Sequence, residues 1–467
     1  MKLLLLFFLI AFCIGGLYQL YEWLTGDKRK TKLDADFEKP SSVLSSKHTG
    51  FAVGNKSFSV TQSFNHMICL GNSGSGKTSK VLINSLLRMR GDCVFIINDP
   101  TGQLIATAPA LEQAGHEVKI VNPSDIACSQ YFNPFKSDHS SIQKVVTTIV
   151  NGTMPVSKDP FFNISCIKLI TLLGRILLYS PPEYQNFCTV LRMLNQLNFD
   201  PTPIDRMVVA TRDHNLITEY KGVAAFDSKL MTNITATGLA ALSIFSNPDV
   251  ARLTSHNSMN FDDFKKNNVA LFFTCKIADA KFFSILSSIF YQQLWEHLME
   301  KLPAKDDQKP VWFIMEEASL LTLNTLSQVI SQVRKFNVGL ILVYQDYNQL
   351  IDTYGSATAR TIFNNCGIKC YMPGQSLAVS EELSKLGGVF EFEDETGTRR
   401  TRNLILPNEA RETSDVILAV ANRPLIKIDP PPFYMIPSMM RLIDLPPFQP
   451  KPTKIFDTPP LIQFNED

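Results

Sequence analysis

Short, unbroken apolar runs recur along most of the chain, at 67–70, 93–97, 118–121, 269–274, 311–315, 340–344, 368–372 and 416–420. Runs this short with no polar alternation predict strands buried on both faces, as in a parallel sheet. Between most of them, as over 78–90 and 324–335, apolar residues recur at three and four spacing, which predicts helices. Strand and helix in alternation is the pattern of an α/β fold with a mainly parallel sheet. One stretch breaks the alternation. From 137 to 260 the periodicity is helical throughout, with apolar stripes at 164–179, 187–197 and 230–245, so an all-α domain inserted into the sheet domain is expected.

The two ends differ from this middle. Residues 3–21 carry no charge over nineteen positions, which as a helix reaches about 28 Å, close to the hydrocarbon thickness of a bilayer. Tyr18, Tyr21 and Trp23 would sit in the interfacial belt, and Lys28, Arg29, Lys30 and Lys32 follow. By the positive-inside rule this is a single N-terminal transmembrane helix, with the rest of the chain in the cytoplasm. A cleaved signal peptide is the competing reading, but no A-x-A site follows the apolar run. At the other end, 424–467 holds eleven prolines in 44 residues, which predicts an extended tail, neither helix nor central strand, lying on the surface or on a partner. The expected organisation is an anchor (1–26), a linker (27–49), the first part of a nucleotide-binding domain (50–136), the helical insertion (137–260), the second part (261–423) and the tail (424–467).

Composition narrows the class. The chain has 467 residues, 45% hydrophobic and 19% charged, which excludes a disordered or collagen-like protein. The net charge of +1 advertises no global nucleic-acid affinity, so any such contact must come from local patches: 28–32, 265–266 and Arg399-Arg400-Thr401-Arg402. The nine cysteines are scattered through apolar segments and read as reduced thiols. The seven histidines are dispersed, and no zinc, G-x-S-x-G or H-E-x-x-H pattern appears.

Gly71-Asn72-Ser73-Gly74-Ser75-Gly76-Lys77-Thr78 fits G-x-x-x-x-G-K-[ST] between a predicted strand and a predicted helix, the context a P-loop requires. Glycines let backbone N–H groups turn toward phosphates, Lys77 offers charge to the β and γ phosphates, and Thr78 offers a hydroxyl to Mg²⁺. ATP with Mg²⁺ is the expected ligand pair. Hydrolysis needs acids as well. Glu316-Glu317 ends the apolar run at 311–315; Glu316 is placed in the Mg²⁺ shell, and Glu317 orients or deprotonates the attacking water. Gln345 ends the next run and points into the crevice where α/β sheets bind ligands, to sense the γ-phosphate or place water. Arg334, seventeen residues beyond Glu317, reads either as an arginine finger for a neighbouring subunit or as a cation closing a helix.

This constellation resembles the type IV coupling proteins of conjugation and type IV secretion, the TraG/TraD group, from about residue 50 to 432. Gly71 to Thr78 matches the family's Walker A motif, and Glu316-Glu317 stands at its Walker B D-E. Asp99-Pro100-Thr101-Gly102-Gln103 is similar to its D-P-K-G-E segment, with Thr101 in place of Lys, and on this basis Asp99 joins the nucleotide-binding set. Asn133-Pro134, Asn186-Phe187, Gln349-Leu350, Tyr354-Gly355, Asn365, Ser384-Lys385-Leu386-Gly387 and 430–434 resemble further blocks in the same order. The resemblance implies a RecA-like P-loop NTPase with an inserted all-α domain, anchored in the inner membrane as a homo-hexamer. It also implies that the protein brings a relaxase–single-stranded DNA substrate to the type IV secretion channel and powers its passage by ATP hydrolysis. Two readings stay beside it: a nucleotide-switched receptor that recruits relaxase or effector proteins without pumping, and a DNA-pumping ATPase of the HerA/FtsK kind.

Overall fold

A computed structural model describes residues 34–135, 138–154, 161–303, 308–321 and 323–463. The apolar run read as an anchor and the basic cluster after it lie outside these residues; among the described residues no helix is long and apolar enough to cross a membrane.

Each of the eight apolar runs forms a strand. β1 (Ala52–Val53) and β2 (Lys56–Ser57) make a small hairpin, followed by β3 (Met67–Leu70), β4 (Val94–Asp99), β5 (Glu117–Val121), β6 (Val269–Thr274), β7 (Val311–Met315), β8 (Val338–Tyr344) and β9 (Ile368–Tyr371). A second hairpin, β10 (Val389–Glu393) and β11 (Arg399–Asn403), precedes β12 (Val416–Val420) and β13 (Ile426–Ile428). The central sheet runs β13-β12-β9-β3-β8-β7-β4-β6-β5; β9 through β5 are parallel, and β12 and β13 are antiparallel.

The unbroken runs follow from the two-residue side-chain period of a strand. Met67 and Cys69, Phe95 and Ile97, and Trp312 and Ile314 point into one core. Ile68 and Leu70, Val94 and Ile96, and Phe313 and Met315 point into the other. Both faces are covered, so neither residue set can be polar. One face carries the helix Ile83–Met89 and its neighbour Ala108–Gln113. The other carries Ala280–Leu298, Leu326–Gln332 and the helical region, whose apolar stripes join that same core.

Between β5 and β6 the chain is helical, with Asx side chains setting several starts. Asp138 accepts from Ser141 N, Asn186 from Thr189 N, Asp213 from Leu216 N and Asp227 from Leu230 N, at 2.8–3.1 Å. Asn133 knits the way in to the way out: its Nδ2 donates to Gln185 O (2.9 Å), and its backbone N–H donates to Asn257 Oδ1 (2.8 Å). The stripe read as one helix over 230–245 divides into Ser228–Ala241 and a short 3₁₀ turn, Ser243–Ser246.

The tail departs from its expectation. It contains the edge strand β13 and the helix Pro437–Ile443, because Pro437 occupies the first turn, where a missing N–H costs no helical bond. Met439 is buried in the same core as Ile83 and Leu86, and Asn84 Nδ2 donates to Pro431 O (3.4 Å). From 446 to 463 it forms no helix or strand, and there it lies on its own chain. Phe456 stacks on His256 (4.3 Å between ring centroids) and packs edge-on to Tyr131, while Arg192 Nη1 donates to Pro460 O (2.8 Å).

His66, just ahead of β3, adopts a left-handed conformation (φ 60°), and its Nδ1 accepts from Leu340 N (3.2 Å). Burial, together with the nearby Arg334 charge, lowers its pKa from 6.5 to about 4, so the folded protein holds it neutral. A depressed folded pKa means that the unfolded chain takes up the proton first as pH falls. The contribution is complete above pH 6.5 and is lost between 6.5 and 4, amounting to about 3 kcal/mol. His66→Asn keeps an acceptor and tolerates the backbone conformation. Its melting temperature is expected to fall less steeply than wild type across that window; parallel slopes would remove His66 from the acid response.

Candidate nucleotide-binding site

The parallel register brings four strand ends to one line: Leu70 of β3 is level with Tyr344 of β8, and Leu342 of β8 is level with Met315 of β7, which is level with Asn98 of β4. Residues just past those ends therefore converge, although Gly71 and Gln345 are 274 positions apart in sequence.

Beyond β3 the chain turns through Gly74 (φ 78°) and Gly76 (φ 92°), conformations that a Cβ disfavours. A helix then opens at Lys77 with one wide turn, Ile83 N donating to Thr78 O five residues back, before becoming α-helical at Ile83–Met89. Asn72 Nδ2 ties the loop to Gly374 O (2.8 Å). Lys77 Nζ folds back onto Gly71 O and onto Asn72 O (2.9 Å for the latter). Burial lowers the Lys77 pKa, and the nearby Cys69, Glu317 and Glu316 oppose that shift.

Glu316 emerges between β4 and β8, held by backbone pairing with Asn98: its N–H donates to Asn98 O (3.2 Å), and its O accepts from Asn98 Nδ2 (2.9 Å). Its carboxylate accepts from two hydroxyls, Thr78 Oγ1 on Oε1 (3.0 Å) and Thr101 Oγ1 on Oε2 (2.8 Å). Only 6% exposed, it has its pKa raised to about 7, first by burial and then by the Asp99 carboxyl. Glu317 next to it sits at φ 51°, an uncommon conformation for a non-glycine residue. Its Oε1 accepts from Ser319 Oγ and Gln345 Nε2, both at 3.1 Å. Gln345 is itself oriented, its N–H donating to Gln349 Oε1 (2.8 Å).

These groups surround a cavity of about 340 Å³, lined among others by Ser73, Gly74, Gly76, Lys77, Thr78, Glu316, Glu317 and Gln345. Gly71, Asn72 and Ser75 belong to the same loop but are not part of that lining. Asp99 is fully buried behind the wall, where Oδ2 accepts from Ile105 N (2.8 Å) and fixes the following turn. Arg334 is elsewhere. It lies in the 3₁₀ turn Val333–Phe336 that leads into β8, close enough to His66 to affect its titration, and thus at the opposite strand ends, about 20 Å from Gln345. Thr101 and Gln103 also line the cavity and were not among the expected site residues. Their position one turn past a buried strand was the available signal.

The donor set suits a nucleoside triphosphate with Mg²⁺. Lys77 has only carbonyl partners among the described residues, Ser75 Oγ is buried without a partner, and Thr78 and Glu316 offer the oxygen ligands that a hard cation prefers. Two acidic groups buried together, Asp99 and Glu316, form a site whose mutual repulsion a cation would relieve. The basic clusters read as possible DNA contacts are already paired in part: Arg399 with Glu393, Arg400 with Asp394 and Arg402 with Glu409. The eight described cysteines are free thiols.

Comparison with known proteins agrees with this geometry. The family described as type IV secretory system conjugative DNA transfer matches residues 26–429. A VirD4 protein of Rhizobium radiobacter is 21% identical over 244 residues, covering 48% of this chain and 35% of the relative. The type IV secretion system-coupling protein VirD4 of Bartonella quintana is 22% identical over 390 residues, covering 76% of this chain and 60% of the relative. The chain thus spans about one third to three fifths of the length of these curated relatives. Among solved structures, the bacterial conjugative coupling protein TrwB superposes with a TM-score of 0.66 at 16% identity, covering 85% of this chain and 92% of that one. TrwB in complex with ADP and Mg²⁺ gives 0.65 at 17% identity, covering 84% and 92%. These similarities establish the fold that the chain shares with TrwB.

Proposed function

The chain belongs to the conjugative DNA-transfer family of type IV secretory systems, and on that premise we propose that it is a membrane-anchored coupling ATPase. In this reading the apolar segment at 3–21 holds it in the inner membrane, and subunits assemble as a hexamer. It presents a relaxase-bound single strand to the secretion channel and draws on ATP hydrolysis to move it. The observation that carries the ATPase reading is the pair of hydrogen bonds linking the acids to the rest of the cavity, Thr78 to Glu316 and Gln345 to Glu317.

Lys77 would leave the Gly71 and Asn72 carbonyls for the β and γ phosphates, which compensate its partial burial better than carbonyls do. Thr78 and Glu316 would hold Mg²⁺, which when bound supplies positive charge against the phosphate oxygens. Glu317, fixed by Ser319 and Gln345, is the base: water attacks the γ-phosphorus, the bond to the bridging oxygen breaks, ADP leaves, and Glu317 takes the water proton. Gln345, hydrogen-bonded to that base, is placed to couple phosphate occupancy to its orientation.

The test is ATP hydrolysis by the full chain in detergent or lipid nanodiscs, with and without single-stranded DNA, beside Lys77→Ala. Turnover that DNA stimulates and Lys77→Ala removes is the expected result. Nucleotide binding without turnover in an assembled protein would favour the receptor that recruits partners without pumping.

A further inference from the structure

We propose that Thr101 is a positioning residue matched to Glu316, holding the longer acid in the geometry its metal-binding task requires; this rests on the nucleotide-site reading above. Glu316 has one more rotatable bond than Asp would have, and a carboxylate on a longer stem held by one contact can pivot about it. Here each oxygen has its own donor: Thr78 on Oε1 (3.0 Å) and Thr101 on Oε2 (2.8 Å). With both oxygens fixed, the carboxylate plane is fixed.

Thr78 has a second task in the reading above, where its hydroxyl is also a ligand for Mg²⁺. Among the described residues the hydroxyl of Thr101 is hydrogen-bonded to Glu316 alone. Its own placement is determined from beneath. Asp99 Oδ2 accepts from Ile105 N (2.8 Å), Gly102 N donates to Asp99 O (3.3 Å), and Gly102 takes φ 70°, so a buried carboxylate shapes the turn that carries Thr101. As a β-branched residue, Thr101 also has few rotamers available. A stiff donor on a fixed turn therefore meets a flexible acceptor. An Asp at 316, one methylene shorter, could not meet both hydroxyls without backbone movement.

The pairing predicts a dependence that a merely structural threonine would not show. In the full chain, Mn²⁺ affinity measured by electron paramagnetic resonance with ADP present is expected to fall about tenfold in Thr101→Val, the scale of one hydrogen bond to a charged group. Metal-free ADP affinity should stay within twofold of wild type, and Thr101→Ser should restore Mn²⁺ binding. In a Glu316→Asp background, adding Thr101→Val should change Mn²⁺ affinity by less than about twofold, because the second contact is already lost. An unchanged Mn²⁺ affinity in Thr101→Val, or an equal tenfold loss in the Glu316→Asp background, would overturn the pairing while metal-free ADP binding stays normal. If Lys77→Ala binds ADP as tightly as wild type, the nucleotide-site reading itself fails, and the pairing with it.

Discussion

Glu317→Gln is expected to slow hydrolysis about 10²- to 10⁴-fold while leaving nucleotide affinity within a few-fold of wild type, since it removes the proton acceptor and keeps the shape. The measurement is single-turnover hydrolysis beside equilibrium nucleotide binding on the same preparation. The substitution also keeps the contacts to Ser319 and Gln345, because an amide oxygen accepts as the carboxylate does. A second variant separates chemistry from backbone strain. Glu317 sits at φ 51°, where a residue with a Cβ is disfavoured by about 1 kcal/mol or more and glycine is not. Glu317→Gly should therefore be as inactive as Glu317→Gln yet melt no lower than wild type. Inactivity with retained stability is what a residue kept for chemistry against the local backbone preference must show; a variant that kept full turnover would remove Glu317 as the base.

That strained glutamate marks how the sequence and the structure divide the explanation. Unbroken apolar runs were legible because a parallel sheet covered on both faces admits no polar side chain, and each such run is a strand. The phosphate loop was legible because glycine spacing, a lysine and a hydroxyl at fixed offsets leave few other structures. The partners of the acids were not, because they depend on register. Nothing in the spacing of Thr101 and Glu316, 215 residues apart, says that Asn98 and Met315 lie level on neighbouring strands. Asp99 shows the same limit: its motif-like segment was legible, but not that its Oδ2 would accept from Ile105 N while its carboxyl sits beside that of Glu316. The β10–β11 hairpin escaped notice for a third reason, its strands being charged and exposed, with Phe390 and Phe392 the only bulky aromatic residues on β10.

Arg334 is where placement turns an open choice into a sharp experiment. Lying at the start of β8 while the cavity lies at its end, it cannot reach the phosphates bound by its own subunit. Any catalytic role must be exerted on a neighbour, where an arginine finger is worth about 10³- to 10⁵-fold in turnover. Arg334→Ala should then lose most hydrolysis while keeping nucleotide binding, as Glu317→Gln does, although the two sites are far apart in one subunit. Mixing decides between a trans finger and a helix-end cation. In a random mixture of the two variants in the ring proposed above, roughly a quarter of interfaces pair an intact Glu317 with an intact Arg334 from next door, so activity should return to about that fraction of wild type. The mixture must be unfolded or dissociated and reassembled together, with each variant alone carried through the same procedure as the control. Recovery above both controls requires that the acid and the arginine come from different subunits. No recovery, with mixed assembly verified by differently tagged chains, would leave Arg334 as a cation at the end of its helical turn, favoured there by the dipole and by nothing in the chemistry.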